Sequence, residues 1–430
     1  MKKPLYYFLL LGLTACTVYG LDDAVNINPS TDSFIVPMSD ALHIATSFMT
    51  ENEIIPTTKA DDLSVKSFFS LNSKTNSPLL HVINYEGGGF AIIAADMRLK
   101  PIQAYSPSGH FEDDVASFPL GLTIWLNCAE SSKEGITEPD DETLMAWKRY
   151  KPDAFHIEKL KTKSLEPGLG LPQEEVDTLV GPLIHDSWYQ GSPYNDSLIV
   201  CPHYSFNQAL FPYPHTVKEY AGQFKPVVGC LPLAIARVLR YNQIPINYNW
   251  LNMPNWAPQT PQTKSFIRDV HYAVKDYAES NNKVFDYIYD QGDLSTGVDK
   301  SFDIGEFLCS QYGFPVAVTR SYSSGVEELI QREIFDYHLP CILSGSSSPS
   351  SGHVWVCDGY RYVFYPDFDP DGGFIGGFEF KYLHHRWGME DRAYDGWFQH
   401  YNYTLNGISF QYDMKLTHHI SIVDHWEDEL

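Results

Sequence analysis

The most informative segment of this chain is Val227-Val228-Gly229-Cys230-Leu231-Pro232-Leu233-Ala234-Ile235-Ala236-Arg237-Val238-Leu239-Arg240-Tyr241. Its apolar residues recur at helical spacing, with Arg237 and Arg240 on one polar edge, which predicts a largely buried helix. Pro232 suits the first helical turn, and Gly229 allows a sharp turn before it. Cys230 is then expected at the helix N-terminus, where N–H groups and the dipole favour a reactive thiolate. The alternative is a buried structural cysteine beside a core helix.

Length and composition are typical of a globular protein with two or three domains. The chain has 430 residues, of which 43% are hydrophobic, 14% aromatic and 20% charged, so it can bury a sizeable core. The formal net charge of -24 argues against a nucleic-acid partner, which would need a basic face.

The N-terminus predicts export. A short positive region precedes an apolar run from Leu5 to Leu13 that is too short to span a bilayer, so residues 1–20 are interpreted as a signal peptide. The run ends in Leu13-Thr14-Ala15-Cys16, which resembles a bacterial lipoprotein signal with Cys16 as the lipidated residue. The alternative is a plain secretory signal. Either way we expect an exported protein, in the cell envelope or outside the cell, with a lipid anchor in the first case.

The rest of the chain divides into three parts. Residues 21–130 predict a small α+β unit, with a helix over Ser39–Met49 capped by Ser39 or Asp40 and a β-hairpin around Gly87-Gly88-Gly89. Residues 131–179 are charged and rich in loop formers, which predicts an exposed linker, at least in its second half, open to proteolysis. Residues 180–430 combine single helices with many short strands.

A nucleophilic cysteine needs a base and a donor for the oxyanion. The candidate base is His353, because the small residues of Ser350-Ser351-Gly352 bring it to the start of an apolar strand. The candidate donor is Gln190, in Trp188-Tyr189-Gln190-Gly191-Ser192-Pro193-Tyr194-Asn195. Taken singly, His353 could be a structural histidine and Gln190 an ordinary loop residue.

No metal site and no cofactor are expected. The seven cysteines show no C-x-x-C pairing, and although export would permit disulfides, no spacing selects a pair. Histidines occur in His384-His385, His418-His419 and Asp424-His425, but adjacent side chains usually diverge and no H-x-x-x-H pattern is present.

Together these segments resemble the streptopain family of secreted bacterial cysteine peptidases. The family's W-x-Q-x-x-P-Y-N, G-C-V-A-T-A, R-P-V-L-Y-S-G and G-G-H-A-F-V-x-D-G-Y motifs correspond in order to Trp188–Asn195, Gly229–Ala234, Leu339–Gly345 and Ser351–Tyr360. The N-terminal unit is similar to the family's propeptide, above all over Asn84–Asp96.

The resemblance implies a two-lobed α+β, papain-like peptidase domain over residues 180–430, made as a zymogen with an inhibitory propeptide. Cys230 would attack the scissile carbonyl, His353 would transfer the proton, and Gln190 with the Cys230 N–H would hold the oxyanion. Trp387 would shield the pair from water. His353 follows Cys230 at a distance near the ~130–150 positions of papain-like enzymes. The expected partners are protein or peptide substrates and the chain's own propeptide.

One segment departs from the family pattern. The family has H-x-N-W-G-W-G-G after the catalytic histidine, whereas this chain has Arg386 in place of Asn, followed by Trp387-Gly388-Met389-Glu390. A guanidinium has no acceptor and would oppose an imidazolium. Either Arg386 points away from His353 or the site is weakened. The rival interpretation is therefore an inactive, peptidase-shaped surface lipoprotein that binds peptides or proteins without cleaving them.

Overall fold

The computed structural model describes residues 34–55, 63–151, 174–199, 205–206, 225–256, 258–290, 293–348 and 351–423. The predicted signal peptide, the predicted lipidation site Cys16 and most of the predicted cleavage region lie outside these residues. Within them, no helix has both the length and the apolar character needed to cross a membrane.

Eight α-helices lie in the described ranges. They are α1 Met38–Glu51, α2 Leu120–Lys133, α3 Asp141–Tyr150, α4 Cys230–Asn242, α5 Pro261–Ser280, α6 Ile304–Tyr312, α7 Val326–Phe335 and α8 Ile408–Gln411.

Fourteen strands lie in the same ranges. They are β1 Val65–Asn72, β2 Pro78–Tyr85, β3 Phe90–Ala94, β4 Ile102–Ser106, β5 Val176–Val180, β6 Ser205–Phe206, β7 Phe285–Asp290, β8 Asp293–Val298, β9 Val316–Ser321, β10 Cys341–Ser348, β11 Ser351–Phe368, β12 Phe374–Arg386, β13 Gly396–Gln399 and β14 Lys415–Ser421.

Most strands form one antiparallel sheet in the order β1-β2-β3-β4-β13-β12-β11-β10-β14-β9. The long strand β11 pairs with β10 along its first half and with β5 along its second. The strands β6, β7 and β8 form a separate small sheet. The large sheet positions His353, which lies near the start of β11.

The predicted elements of the N-terminal unit are present. The predicted helix is α1, and the hairpin around the three glycines is β2–β3. The predicted cap is wrong, because α1 follows Pro37 and has no side-chain cap. Asp40 instead forms an ion pair with Lys151.

The structure differs from the predicted linker in its first part. The helix α2 continues to Lys133, and α3 follows with Asp140 as its N-cap. Trp147 of α3 is buried, and its Nε1 donates to the carbonyl of Leu99 at 2.8 Å. Of the acidic residues that suggested a linker, Asp140 caps α3 and Asp141 lies in its first turn, where a negative charge suits the helix dipole. Most of the remaining predicted linker lies outside the described residues.

The N-terminal and C-terminal units share one sheet. Strand β4 pairs with β13, with Ala104 opposite Phe398 and Tyr105 opposite Trp397. A single apolar cluster extends through both units. The side chain of Trp125 in α2 strengthens the junction, since its Nε1 donates to the carbonyl of Gln399 at 2.9 Å.

A second apolar cluster lies around α4, α5 and α6. It buries the apolar face of α4, including Ile235 and Leu239, against residues such as Phe266 and Phe307. The C-terminal unit therefore has a helical lobe with Cys230 and a strand lobe with His353, which confirms the predicted α+β, two-lobed fold class.

Candidate active site

Cys230 is the first residue of α4, as predicted, and its N-cap is Gly229. Gly229 has a φ of +91°, a conformation that favours glycine. A Cβ at this position would also lie 2.9 Å from the Cβ of Thr296, so a larger residue would push the loop off β8. Arg237, expected on a polar edge of the helix, is instead buried and paired with Asp186 at 3.0 Å.

Hydrogen bonds from three other segments hold the two residues before Gly229. The Val228 N–H donates to the carbonyl of Gln190 at 2.8 Å. The Val228 carbonyl lies 2.8 Å from Nδ1 of His271 in α5, and the Val227 carbonyl accepts from the hydroxyl of Thr296 at 2.7 Å. The path of the chain into Cys230 is therefore fixed from several sides.

A cleft of about 630 Å³ brings Cys230 and His353 together. The helix side of the cleft consists of Cys230 and Leu231 with residues of β7 and β8. The strand side consists of residues at the adjoining ends of β10 and β11, including His353. Two candidates separated by more than a hundred positions in sequence thus border one cavity.

The imidazole of His353 is held by a backbone carbonyl. Its Nε2 lies 2.9 Å from the carbonyl oxygen of Trp387, and its ring stacks at 6.1 Å from that of Trp355. A carbonyl only accepts, so Nε2 carries the hydrogen, and in the neutral ring Nδ1 has the free lone pair. Burial lowers the pKa of His353 to about 4, so the ring is neutral near pH 7.

Arg386 points away from His353. Its Nε donates to Oδ2 of Asp358 at 2.8 Å, and its other nitrogens donate to the carbonyls of Asp186 and Ile184. The sequence left two alternatives, that Arg386 points away from His353 or that it weakens the site, and the structure has the first. The orienting role expected of an Asn falls to the carbonyl of Trp387.

Asp358 is the centre of this buried polar cluster. It also accepts from the Ile184 N–H at 3.0 Å and lies 2.6 Å from Nδ1 of His384. Burial opposes ionisation of Asp358, but the charges of Arg386 and His384 outweigh it and hold the pKa of the carboxyl well below its usual range. Asp358 is therefore ionised, and it anchors both β12 and the segment that leads to Trp188.

Burial acts against a thiolate at Cys230. It raises the pKa of the thiol, and hydrogen bonds with the backbone of Val354, Leu231 and Cys230 itself offset that rise only in part. Desolvation therefore opposes the thiolate that was predicted at the helix N-terminus, while the local N–H groups favour it.

Trp387 is fully buried beside His353. Its backbone N–H donates to Asp395 at 2.8 Å, and its Nε1 donates to the carbonyl of Tyr394 at 3.0 Å. On its other side lies Gly121 of α2, where a Cβ would be 2.6 Å from the indole. Trp387 thus connects the candidate base to the N-terminal unit.

The backbone of Gln190 is hydrogen-bonded to Val228, in the loop that leads to Cys230. Gln190 is not among the described residues that line the cleft. The structure thus brings Cys230 and His353 into one cavity and places Trp387 against His353, while Gln190 adjoins Val228.

Sequence reasoning missed three residues that shape this site: Asp358, His271 and Gly121. The sequence does not indicate that Asp358 and Arg386 meet, because their contact depends on the pairing of β11 with β12. His271 could have been found from the sequence, since it occupies the apolar stripe of α5 that includes Val270 and Val274. A histidine on a buried helix face needs polar partners.

A cysteine at a helix N-terminus and a histidine on a strand across a cleft are the two parts that the predicted peptidase requires. Comparison with known families shows that residues 33–132 match the model described as Spi protease inhibitor. This match confirms the resemblance of the N-terminal unit to the propeptide of the streptopain family.

Two solved structures are similar to this chain. One is a fragment of Prevotella intermedia prointerpain A with a cysteine-to-alanine substitution, at 18% identity and a TM-score of 0.49, covering 82% of this chain and 97% of that one. The other is active wild-type Prevotella intermedia interpain A cysteine protease, at 16% identity and a TM-score of 0.36, covering 56% of this chain and 94% of that one. No curated protein matches the chain in sequence.

Proposed function

We propose that the chain is the zymogen of an exported cysteine endopeptidase, with Cys230 as nucleophile and His353 as base. The observation that carries the proposal is the cleft shared by Cys230, at the head of α4, and His353, at the start of β11. The Spi protease inhibitor match over residues 33–132 supports the propeptide in the same proposal.

The proposed steps follow from the tautomer of His353. Nδ1 accepts the proton of the Cys230 thiol while Nε2 stays bonded to the carbonyl of Trp387. The sulfur attacks the scissile carbonyl carbon, and the C–N bond breaks as the imidazole gives the proton to the leaving amine. Water then hydrolyses the thioester and regenerates the thiol. The N–H of Cys230 and the amide of Gln190 would hold the oxyanion.

The form described here suits a latent enzyme. Burial raises the pKa of the Cys230 thiol and lowers that of His353 to about 4, and both shifts disfavour the ion pair typical of an activated cysteine. The helix α2 packs against residues of the strand lobe beside the cleft, with Ile124 against Gly345 and Gly121 against Trp387, although no described residue of α2 lines the cleft itself. We propose that the propeptide inhibits through these contacts.

The proposal is tested by labelling the purified protein with an epoxide-type thiol inhibitor and mapping the modified residue. We expect the label on Cys230 and the loss of peptide hydrolysis. Cys309 is a matched control, because it is also a partly exposed free thiol with a position at a helix. Cys309→Ala should keep both labelling and hydrolysis.

Maturation provides a second readout. Wild-type protein should be converted to a species that begins between about Lys159 and Val180, whereas Cys230→Ala and His353→Ala should remain full length. N-terminal sequencing checks this. If Cys230→Ala matures as fast as wild type in a host without other proteases, Cys230 is not the nucleophile. Peptide binding by the wild type without any hydrolysis would favour the inactive surface lipoprotein instead.

The proposal includes export with a lipid anchor at Cys16, which is motivated by Leu13-Thr14-Ala15-Cys16. Cys16→Ser should move the protein from a detergent-soluble membrane fraction to the soluble exported fraction. An unmutated protein that is already soluble and carries no acyl group would contradict the anchor.

A further inference from the structure

His271 is a buried titratable residue that the proposed mechanism does not use. It is fully buried on α5, and both ring nitrogens have partners. Nδ1 lies 2.8 Å from the carbonyl oxygen of Val228, and Nε2 lies 2.9 Å from the hydroxyl of Tyr287 in β7. Its position connects the core of the helical lobe with the loop that leads to Cys230.

The partners fix the tautomer of His271. A carbonyl oxygen only accepts, so Nδ1 must donate to Val228, and Nε2 of the neutral ring then accepts from the hydroxyl of Tyr287. Burial lowers the pKa of His271 to about 4, which keeps this neutral tautomer in place near pH 7. The ring is thus a fixed donor toward the loop.

Val228 connects the two proposed oxyanion donors. Its N–H is bonded to the carbonyl of Gln190 at 2.8 Å, and its own carbonyl is bonded to His271. After Val228 the chain passes through Gly229, which has a φ of +91°, into the N–H of Cys230. The carbonyl of Gly229 accepts from the Leu233 N–H at 3.0 Å, which holds the Gly229–Cys230 peptide from the helix side. The direction of the Cys230 N–H depends on this bond and, on the other side of Gly229, on what holds the Val228–Gly229 peptide.

We propose that His271 is a positioning residue that holds the Val228–Gly229 peptide and so aims the N–H of Cys230 at the oxyanion. This inference rests on the proposed function of Cys230. His271 touches neither substrate nor reacting atoms, and it acts only through the backbone of Val228. Tyr287 supports it by fixing the ring from β7.

The test compares two reactions of Cys230 in the full-length chain. Self-processing passes through an oxyanion, whereas alkylation of the thiol by iodoacetamide does not. His271→Ala should slow self-processing by about 10- to 100-fold, the range expected for a misplaced oxyanion donor, and leave the alkylation rate within about twofold of wild type. Equal losses in both rates would mean that His271 only supports packing, and would overturn the proposal.

Conservative variants separate positioning from stability. His271→Asn keeps a donor near the position of Nδ1 and should recover most of the processing rate, whereas His271→Gln reaches toward Tyr287 and should not. Tyr287→Phe keeps the bond to Val228 and should cost less than His271→Ala. Melting temperatures measured alongside exclude unfolding as the cause. Equal rates for the Asn and Gln variants would overturn the positioning role.

The two proposals fail in different ways. If Cys230→Ala stays full length while His271→Ala matures at the wild-type rate, only the proposed role of His271 is contradicted. If Cys230→Ala itself matures at the wild-type rate, both the proposed function and the role of His271 are contradicted.

Discussion

The two sides of the cleft are built differently. On the helix side, the hydrogen bonds that hold Val227 and Val228 come from Gln190, His271 and Thr296, all in the C-terminal unit. On the strand side, His353 is held by the carbonyl of Trp387, and that tryptophan lies against α2 of the N-terminal unit.

This difference indicates which side of the cleft the N-terminal unit can influence. Removing the N-terminal unit leaves the three bonds of the nucleophile loop intact, but it removes one wall of the pocket around Trp387. Tyr394, whose carbonyl accepts from Trp387, also contacts the N-terminal unit through its hydroxyl, at 3.0 Å from both Ser117 and Glu112. We therefore expect activation to change the base rather than the nucleophile loop.

The largest effect is expected at Arg386, the anchor of the strand side. Arg386→Asn would leave the buried carboxylate of Asp358 without its main counter-charge, which typically costs about 3–5 kcal/mol. We expect a lower free energy of unfolding in denaturant titrations of the full-length Cys230→Ala protein. In the chain that keeps Cys230, a rise in turnover on Arg386→Asn with unchanged stability would instead show that the guanidinium opposes the imidazolium of His353.

On the helix side, Gln190→Ala should slow maturation by roughly a hundredfold, since one oxyanion donor is lost. The rate of conversion followed by gel and N-terminal sequencing measures this. Iodoacetamide alkylation of Cys230 should be unaffected and is the control. Maturation at the wild-type rate would mean that the side chain of Gln190 stays outside the cleft during catalysis.

A smaller change is expected where the propeptide meets the strand side. Gly121→Ala places a Cβ 2.6 Å from Trp387 and 2.9 Å from Trp355, so α2 must move outward. We expect earlier maturation at the same protein concentration, seen in a time course. Ser132→Ala, on the partly exposed face of the same helix, is the matched control. Slower maturation of Gly121→Ala would contradict inhibition through α2.

The last prediction concerns acid stability. Burial lowers the pKa of His271, His353 and His400 to about 4 and that of His385 to about 3. The unfolded chain therefore binds protons before the folded one, so this stability is present above about pH 6.5 and is lost as pH falls toward 4. Three of the four histidines belong to the strand side.

We expect the melting temperature of the full-length Cys230→Ala protein to fall between pH 7 and pH 5. Adding His385→Phe to that protein should make the melting temperature fall less steeply over the same range. Parallel curves for the two proteins would show that His385 is not among the groups responsible.

The sequence was sufficient to locate Cys230 and His353, the two predicted residues that border the cleft. Cys230 could be located because helical spacing, Gly229 and Pro232 all point to one helix start. His353 could be located because small residues precede an apolar strand. The hairpin β2–β3 followed from three glycines between apolar runs. Each of these signals is local.

The features that could not be predicted depend on contacts between distant segments. The direction of Arg386 depends on Val356 lying opposite it in the β11–β12 pair, which places Asp358 within reach. The helix α3 was not predicted, because a partly exposed helix is as charged as a loop. The raised pKa of Cys230 depends on the strand lobe covering α4, which no pattern around Cys230 contains.

The junction of β4 with β13 has a consequence for the proposed maturation. While the N-terminal unit is attached, β13 is an interior strand, with Trp397 and Phe398 buried. Removal of that unit would leave the same strand as a sheet edge, with unpaired backbone groups beside newly exposed aromatic rings. Such an edge is a template for pairing with another chain. In the proposed zymogen the N-terminal unit would therefore also cover a surface that the processed form would expose.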